Sequence, residues 1–407
     1  MNSVKKINKY MKQINWIVLS IYGIACLYLF YMQSVQPLDY DNRYFQSDLP
    51  YHISMIIDDG WYYSFTAYAY QLLYWLFGKT TVGIALFLAV MAVLSVVLTE
   101  KLLQMLTGKK EMTMVTLWGS LALNLVMPFF LRMAGMYRYV SYQAGNIWHN
   151  STYQCMKVLA LAAILYYLEM EKEYREHISV KQWLTFAVLL VICTGIKPSF
   201  LTVFAPAFGL KLLWDLFHKV SFKQIFIFGC AVLPACGVVL WQNAVLFGEE
   251  TGQGFAFRPW YTFSLHADRP KLAVLCSIAF PLAVAACSLR ELLKDKKYFF
   301  GWLMTGIGFL EALLLAETGS RSRDGNFLWG YSFVIFYIFV LSFVKWLEMG
   351  KGCGSEGSAG GTKKDKITTV LRKAMFLGCG VVFVYQLYCG VVFFGRLLMG
   401  ETYFMVG

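Results

Sequence analysis

Long apolar runs alternate with short polar stretches along the whole chain. Eleven such runs stand out, near residues 14–34, 80–98, 113–131, 153–169, 183–196, 199–214, 225–247, 272–289, 299–316, 327–346 and 374–395. A soluble core helix needs one apolar stripe. The run TVGIALFLAVMAVLSVVL (81–98) is instead apolar on every side, over a length that crosses the hydrocarbon layer. The pattern predicts an all-α integral membrane protein: one polytopic domain over 1–407 with about eleven transmembrane helices. Residues 1–34 read as a retained first helix, because the run is too long for a secretory signal and no small-residue cleavage site follows it. Gly195-Ile196-Lys197-Pro198 interrupts the fifth and sixth runs, which leaves two readings of 183–214, a hairpin of two spans or one broken helix.

Two inter-run stretches differ from the rest. Residues 35–79 form a first outer loop, polar and acid-rich to residue 61, that then enters WYYSFTAYAYQLLYWLF (61–77). Tyr and Trp in that density settle at headgroup level, so the loop is expected to carry an interfacial helix; the alternative is an aromatic belt on a lengthened second span. GKGCGSEGSAGGTKKDK (350–366) reads as a flexible cytoplasmic linker without chemistry of its own.

Charge fixes the expected orientation. The chain is 58% apolar and only 15% charged, so its charges are confined to the stretches between runs. Under eleven spans, one side collects 24 of the 36 Lys and Arg residues while the acids divide 12 and 12, the asymmetry expected when only positive charge is held back during insertion. That side is cytoplasmic, with the N-terminus on it and the C-terminus outside. The formal charge of +12 is scattered through many loops, which argues against a nucleic-acid partner. Of ten cysteines, nine lie in or beside apolar runs and Cys353 lies in the linker; no disulfide framework or zinc spacing appears, and the pattern fits a bacterial plasma membrane. No Walker loop, dinucleotide fingerprint, His-Glu-x-x-His or nucleophile elbow is present.

The basic residues on the outer side call for another explanation. Loop one holds Asp39, Asp41, Arg43, Asp48, His52, Asp58 and Asp59; loop two holds Arg132, Arg138 and His149. Lys197 follows beside Pro198, then Arg258, His266, Asp268 and Arg269, then Glu317, Arg321, Arg323 and Asp324. Acids at one rim with Arg, Lys and His from several loops are what an anionic lipid-linked substrate requires, namely a base and cations facing a phosphate. Taken singly, each is as readily a solvated loop charge. That plainer reading is weaker for Lys197 and Glu311, since charge within the hydrocarbon costs about 2.5–3.5 kcal/mol. Glu311 is expected to pair with a neighbouring helix and Lys157 to snorkel to headgroups. Asn150-Ser151-Thr152 matches a glycosylation acceptor, a pattern frequent by chance.

A cytoplasmic N-terminus, a first span, an outer loop with Gln46-Ser47-Asp48-Leu49-Pro50-Tyr51-His52 and then an aromatic segment resembles the GT-C class of membrane glycosyltransferases, which includes protein O-mannosyltransferases and lipid A aminoarabinose transferases. The resemblance covers the whole topology, with loose motifs. It implies a GT-C-like fold and transfer of a sugar from a polyprenyl-phosphate donor to a hydroxyl on a glycan, lipid or protein acceptor, with inversion and an essential acid in the first outer loop. By that resemblance Asp48 is the base. Many members carry two adjacent acids there, and the only such pair here is Asp58-Asp59, so these are the alternatives. Charge alone nominates His52, Arg138, His149, Lys197, Arg258, Glu317, Arg321 and Arg323 for substrate binding. No metal is demanded, although an acid-rich loop leaves room for a divalent ion. A lipid-linked glycan polymerase or ligase would show a very large late outer loop, whereas the longest here is about 248–271. A transporter or flippase would show polar residues at the bilayer midplane.

Overall fold

The computed structural model describes residues 2–38, 44–109, 111–247, 254–352 and 363–406. Asp39, Asp41, Arg43, Lys110, Cys353, residues 248–253 and most of the linker lie outside the described residues. The first run folds as α1 (Asn2–Ser34), followed by two short helices, α2 (Leu49–Ile57) and α3 (Phe65–Leu76), and then α4 (Val82–Thr107). The helix expected over 61–77 thus forms as a separate element, not as a lengthened second span. Ser64 caps α3 by accepting from Thr66 N, and Gly78 and Lys79, both left-handed (φ +68° and +61°), break the chain before α4. Tyr68, Leu72, Trp75 and Leu76 stand exposed on α3, while Ala67 and Tyr70 are buried.

Next come α5 (Met114–Leu125), α6 (Ser151–Glu173), α7 (Val180–Ile196) and α8 (Ser199–Phe217). The third run was expected to continue to 131. It stops at Leu125 because Val126 leaves the helical region (φ −53°, ψ 137°) two residues before Pro128. The break at Lys197-Pro198 reverses the chain. Arg175, ahead of α7, pairs with Asp215 near the far end of α8 at 2.8 Å, so the two helices run antiparallel and 183–214 is a hairpin. Lys211 joins the same cluster, 2.7 Å from Asp215 and 3.6 Å from Glu171 of α6.

The second half is built from α9 (Phe222–Cys230), α10 (Leu233–Phe247), β1 (Phe255–Phe257), α11 (Tyr261–Ser264), α12 (Pro270–Ser277), α13 (Ala279–Cys287), α14 (Leu289–Lys294), α15 (Lys296–Leu314), β2 (Leu315–Glu317), α16 (Leu328–Gly352) and α17 (Lys363–Leu398). The two strands form a small antiparallel sheet with Ala256 opposite Ala316, a β element that the all-α expectation did not contain. Every residue from Gly330 to Val344 is buried, which makes α16 the central pillar; a helix apolar on all sides finds partners all round.

Among the described residues, six helices are long and apolar enough to cross a membrane, or seven if α12 and α13, bent by 66°, form one span. The chain is therefore a mostly helical, multi-pass membrane protein. Each predicted run falls on a helix or helix pair in the expected order, but α5 and α7 are only 12 and 17 residues long, and the structure does not establish eleven crossings.

The tightest helix contact lies where α17 meets the end of α5. A Cβ on Gly390 would overlap the Leu125 carbonyl, a backbone group that cannot rotate aside. Gly390→Ala is expected to cost about 1–3 kcal/mol of stability, read as a lower denaturation midpoint of the purified protein.

Candidate functional site

The stretch Ala144–Asn150 is buried yet not helical, so its backbone groups must find partners inside the protein. The neighbouring helices supply them. Tyr153 Oη donates to Gly145 O at 2.9 Å, Gln154 Nε2 donates to Ile147 O, and Asn146 Nδ2 donates to the Leu123 and Val126 carbonyls at 2.9 and 2.8 Å. Lys157 completes the frame. Its ammonium donates to Asn146 Oδ1 at 2.6 Å and Asn124 Oδ1 at 3.0 Å and lies 3.7 Å from the Phe336 ring centroid. At 3% exposure it does not snorkel to headgroups: two side-chain amides sit within reach and give it better partners than the surface would.

This frame presents His149 and Asn150 to Asp48. Asp48 N donates to His149 O at 3.0 Å, and Asn150 Nδ2 donates to Asp48 Oδ2 at 2.8 Å. His149 Nε2 lies 3.9 Å from the same oxygen. Asn150 also caps α6, its Oδ1 accepting from Tyr153 N at 2.9 Å, so one amide joins the carboxylate to the positive end of a helix. Asp48 stands at the cap position of α2 without using its side chain there; Ser47 Oγ accepts from Leu49 N instead. The Asp48 side chain is 32% exposed, so it remains accessible from outside the protein.

Two more helix starts converge here. His52 Nδ1 is 3.2 Å from Ser151 Oγ, and Lys197 Nζ donates to Thr152 Oγ1 at 3.2 Å while lying 4.8 Å from the Trp329 ring centroid. Burial pushes His52 down to about 4; Asp48 opposes the shift, while Lys197 and His149 reinforce it. Burial also lowers His149, so both imidazoles are neutral at pH 7. Burial brings the Lys197 ammonium down to about 8, with Asp48, Glu317 and Asp324 holding it up and Arg321 pressing it lower. Asn326 grips both oxygens of Glu317 at 2.8 and 2.9 Å. Burial raises Glu317 and Asp324, and Arg321 opposes the shift in both.

The site thus unites Asp48, His52, His149 and Lys197, with Glu317, Arg321 and Asp324 in electrostatic reach. Other nominees sit elsewhere. Asp58 and Asp59 lie at the opposite end of α2, about 14 Å along the helix, where Asp58 Oδ2 accepts from Ser54 Oγ at 2.8 Å. Arg138 lies 5.3 Å from the Phe130 ring centroid, Arg258 is exposed beside Tyr261, and Arg323 is exposed. The broad cationic rim expected from the sequence therefore narrows to Lys197 and Arg321, because loop charge reports a side of the membrane and not a position. Glu311 finds Thr202 of α8 at 3.2 Å, a hydroxyl from the neighbouring helix it was expected to meet.

Sequence reasoning passed over Asn150, Trp329 and Tyr403. Asn150-Ser151-Thr152 was set aside as a chance acceptor pattern, although a cap residue directly before an apolar run is itself a helix-start signal. Asn150 is 5% exposed and committed to Asp48 and the cap.

A groove of about 470 Å³ opens between α3 and α10, lined by Phe65, Tyr68, Pro234, Gly237, Val238 and Trp241. Its upper end adjoins the site: Gln242, next to Trp241, donates to Gly195 O at 3.0 Å, and Ser64 Oγ donates to Ile196 O at 2.8 Å, both carbonyls just before Lys197. Among the described residues no three His, Cys, Asp or Glu side chains converge to hold a metal ion; Asp39 and Asp41 of the acid-rich loop lie outside them. Comparison with protein-family models, curated proteins and solved structures returns no match.

The double duty of Asn150 is separable. Asn150→Ser keeps a cap oxygen and loses the bond to Asp48, whereas Asn150→Ala loses both. Chemical denaturation of the two variants is expected to place the alanine protein about 1 kcal/mol below the serine protein.

Proposed function

We propose that this chain is a plasma-membrane glycosyltransferase of GT-C type, crossing the membrane eleven times with its N-terminus cytoplasmic and its C-terminus outside. It moves a sugar from a polyprenyl-phosphate donor to an acceptor hydroxyl on the outer face. One observation carries this reading: a partly exposed carboxylate shares a charged cluster with two cations, Lys197 and Arg321, beside an apolar groove. A lipid phosphate has that shape, a charged head with a hydrocarbon tail. From Gln242 to Pro234 the groove side of α10 is about 12 Å long, and in the proposed orientation a lipid chain would lie along it. The charge asymmetry of the loops and the separate aromatic helix α3 agree with this orientation.

In this reading each residue's role follows from where it stands. Asp48 Oδ2 is held by Asn150, which leaves Oδ1 to receive the proton of the acceptor hydroxyl. The acceptor oxygen forms its bond to the anomeric carbon as the bond from that carbon to the phosphate oxygen breaks, with inversion. The electron pair leaves on the lipid phosphate, whose charge Lys197 and Arg321 stabilise. His52 and His149 are neutral at pH 7 and add no competing charge. Glu317 and Asp324 temper the positive potential, so product release is not blocked by an unopposed pair of cations.

Purified protein in lipid discs, supplied with a panel of labelled polyprenyl-phosphate sugars, is expected to release polyprenyl phosphate. Asp48→Asn should lower that turnover by about 10²–10⁴-fold without loss of fold. A variant turning over at the wild-type rate would remove Asp48 from the mechanism. A wild-type protein that turns over none of the panel, but exchanges labelled lipid between leaflets, would favour the flippase reading.

The same reading sets a pH dependence. The donor is a phosphodiester whose single charge does not change above neutrality, whereas Lys197 is cationic below about 8 and neutral above it. Donor affinity should fall as pH rises through that value. Lys197→Arg, which keeps its charge, should hold affinity constant to pH ~10. Equilibrium binding at a series of pH values checks this, and a flat wild-type profile would exclude the ammonium from donor binding.

A further inference from the structure

After α17 the chain does not run out into solvent. It turns at Gly400 (φ +94°), where Arg396 grips Glu401 through two contacts of 2.7 and 2.6 Å. Gly400 O accepts from Phe45 N at 2.9 Å, three residues before Asp48. A Cβ on Gly400 would come within 3.0 Å of the Phe45 ring, so the approach requires glycine twice over. Farther on, Met405 O accepts from Arg138 N at 3.0 Å and Val406 bridges to Tyr137. Residues 400–406 therefore tie the first loop to the second.

At the middle of this clasp the Tyr403 ring lies on His149, centroids 4.2 Å apart and planes within 21°. Tyr139 meets His149 edge-on at 5.0 Å and Tyr403 edge-on at 6.2 Å. A buried imidazole usually takes its orientation from a hydrogen bond at its second nitrogen. His149 has none: Nδ1 is buried without a hydrogen-bond partner. The plane of the ring, and so the aim of Nε2 at Asp48, is left to aromatic packing, which is directional for stacked and edge-on pairs. With Nδ1 in an apolar setting and Nε2 facing a carboxylate, the proton belongs on Nε2.

We infer that Tyr403 is a positioning residue of the transfer site: stacked on His149, it fixes the imidazole so that Nε2–H steadies Asp48 Oδ2, while the clasp around it holds the two loops in register. This rests on the sugar-transfer reading above. The tyrosine acts through His149.

The test is a double-mutant cycle on the full-length protein. Tyr403→Ala is expected to lower kcat about 10²-fold with donor KM nearly unchanged, since a misaimed base loses rate before it loses binding. Tyr403→Phe, which keeps the ring, should restore the wild-type value. In a His149→Ala background Tyr403→Ala should add nothing further. A full effect of Tyr403→Ala in that background, or an unchanged kcat in the single variant, overturns the inference. Should the wild type transfer no sugar at all, the transfer reading fails and the clasp is judged alone. Diethyl pyrocarbonate should then modify His149 faster in Tyr403→Ala than in wild type or Tyr403→Phe, read by mass spectrometry; equal rates overturn the inference.

Discussion

Irregular backbone buried among helices is permissible only where every polar group has an internal partner, and the structure around Asp48 follows from that constraint. Ala144–Asn150 meets it by borrowing side chains from the helix it leads into: Tyr153, Gln154 and Lys157 all reach back to it. The loop is thereby as rigid as the helix. What it offers to Asp48, one carbonyl and one amide, arrives with helix precision although it comes from a loop. The same economy recurs at Lys197, which sits where α7 and α8 reverse and where Thr152 at the start of α6 receives it.

The two ends of the bundle use charge in opposite ways. Around Asp215, Lys211 and Arg175 close ion pairs at 2.7 and 2.8 Å and leave Asp215 only 3% exposed, with Tyr174 on its second oxygen. Those charges answer one another. At the Asp48 end Lys197 bonds to a hydroxyl and faces an indole, and the closest imidazole to the carboxylate stands at 3.9 Å. Satisfied ion pairs suit a fixed corner of the fold, whereas charges held apart are what a site for a charged substrate needs.

Much of the helix order was legible because lipid exposure and core burial both demand apolar residues, so each helix announces itself on every face. The hairpin at Lys197-Pro198 was not legible, since a proline break looks the same in a reversal and in a kink; contacts between residues 40 apart decide it. Lys197 and Glu311 stood out as charges set in apolar sequence, whereas Asp48 was singled out by the resemblance alone. Arg138, Arg258 and Arg323 did not separate from them, because the sequence assigns a loop charge to a surface and nothing more. Tyr403 left no trace: an aromatic residue some 250 positions from its partner has no local signature.

Lys157 has a consequence for how such a chain is made. If α6 enters the bilayer as proposed, it carries an ammonium whose insertion alone costs about 2.5–3.5 kcal/mol. Its acceptors are Asn124, near the end of the preceding helix, and Asn146, in the connection between the two. Both have left the ribosome before Lys157 has. Helix α5, only 12 residues long, is likewise a poor solitary inserter. The two are therefore best released from the translocon as a pair, amides already closed on the ammonium, so that this stretch matures as one biogenetic unit rather than helix by helix.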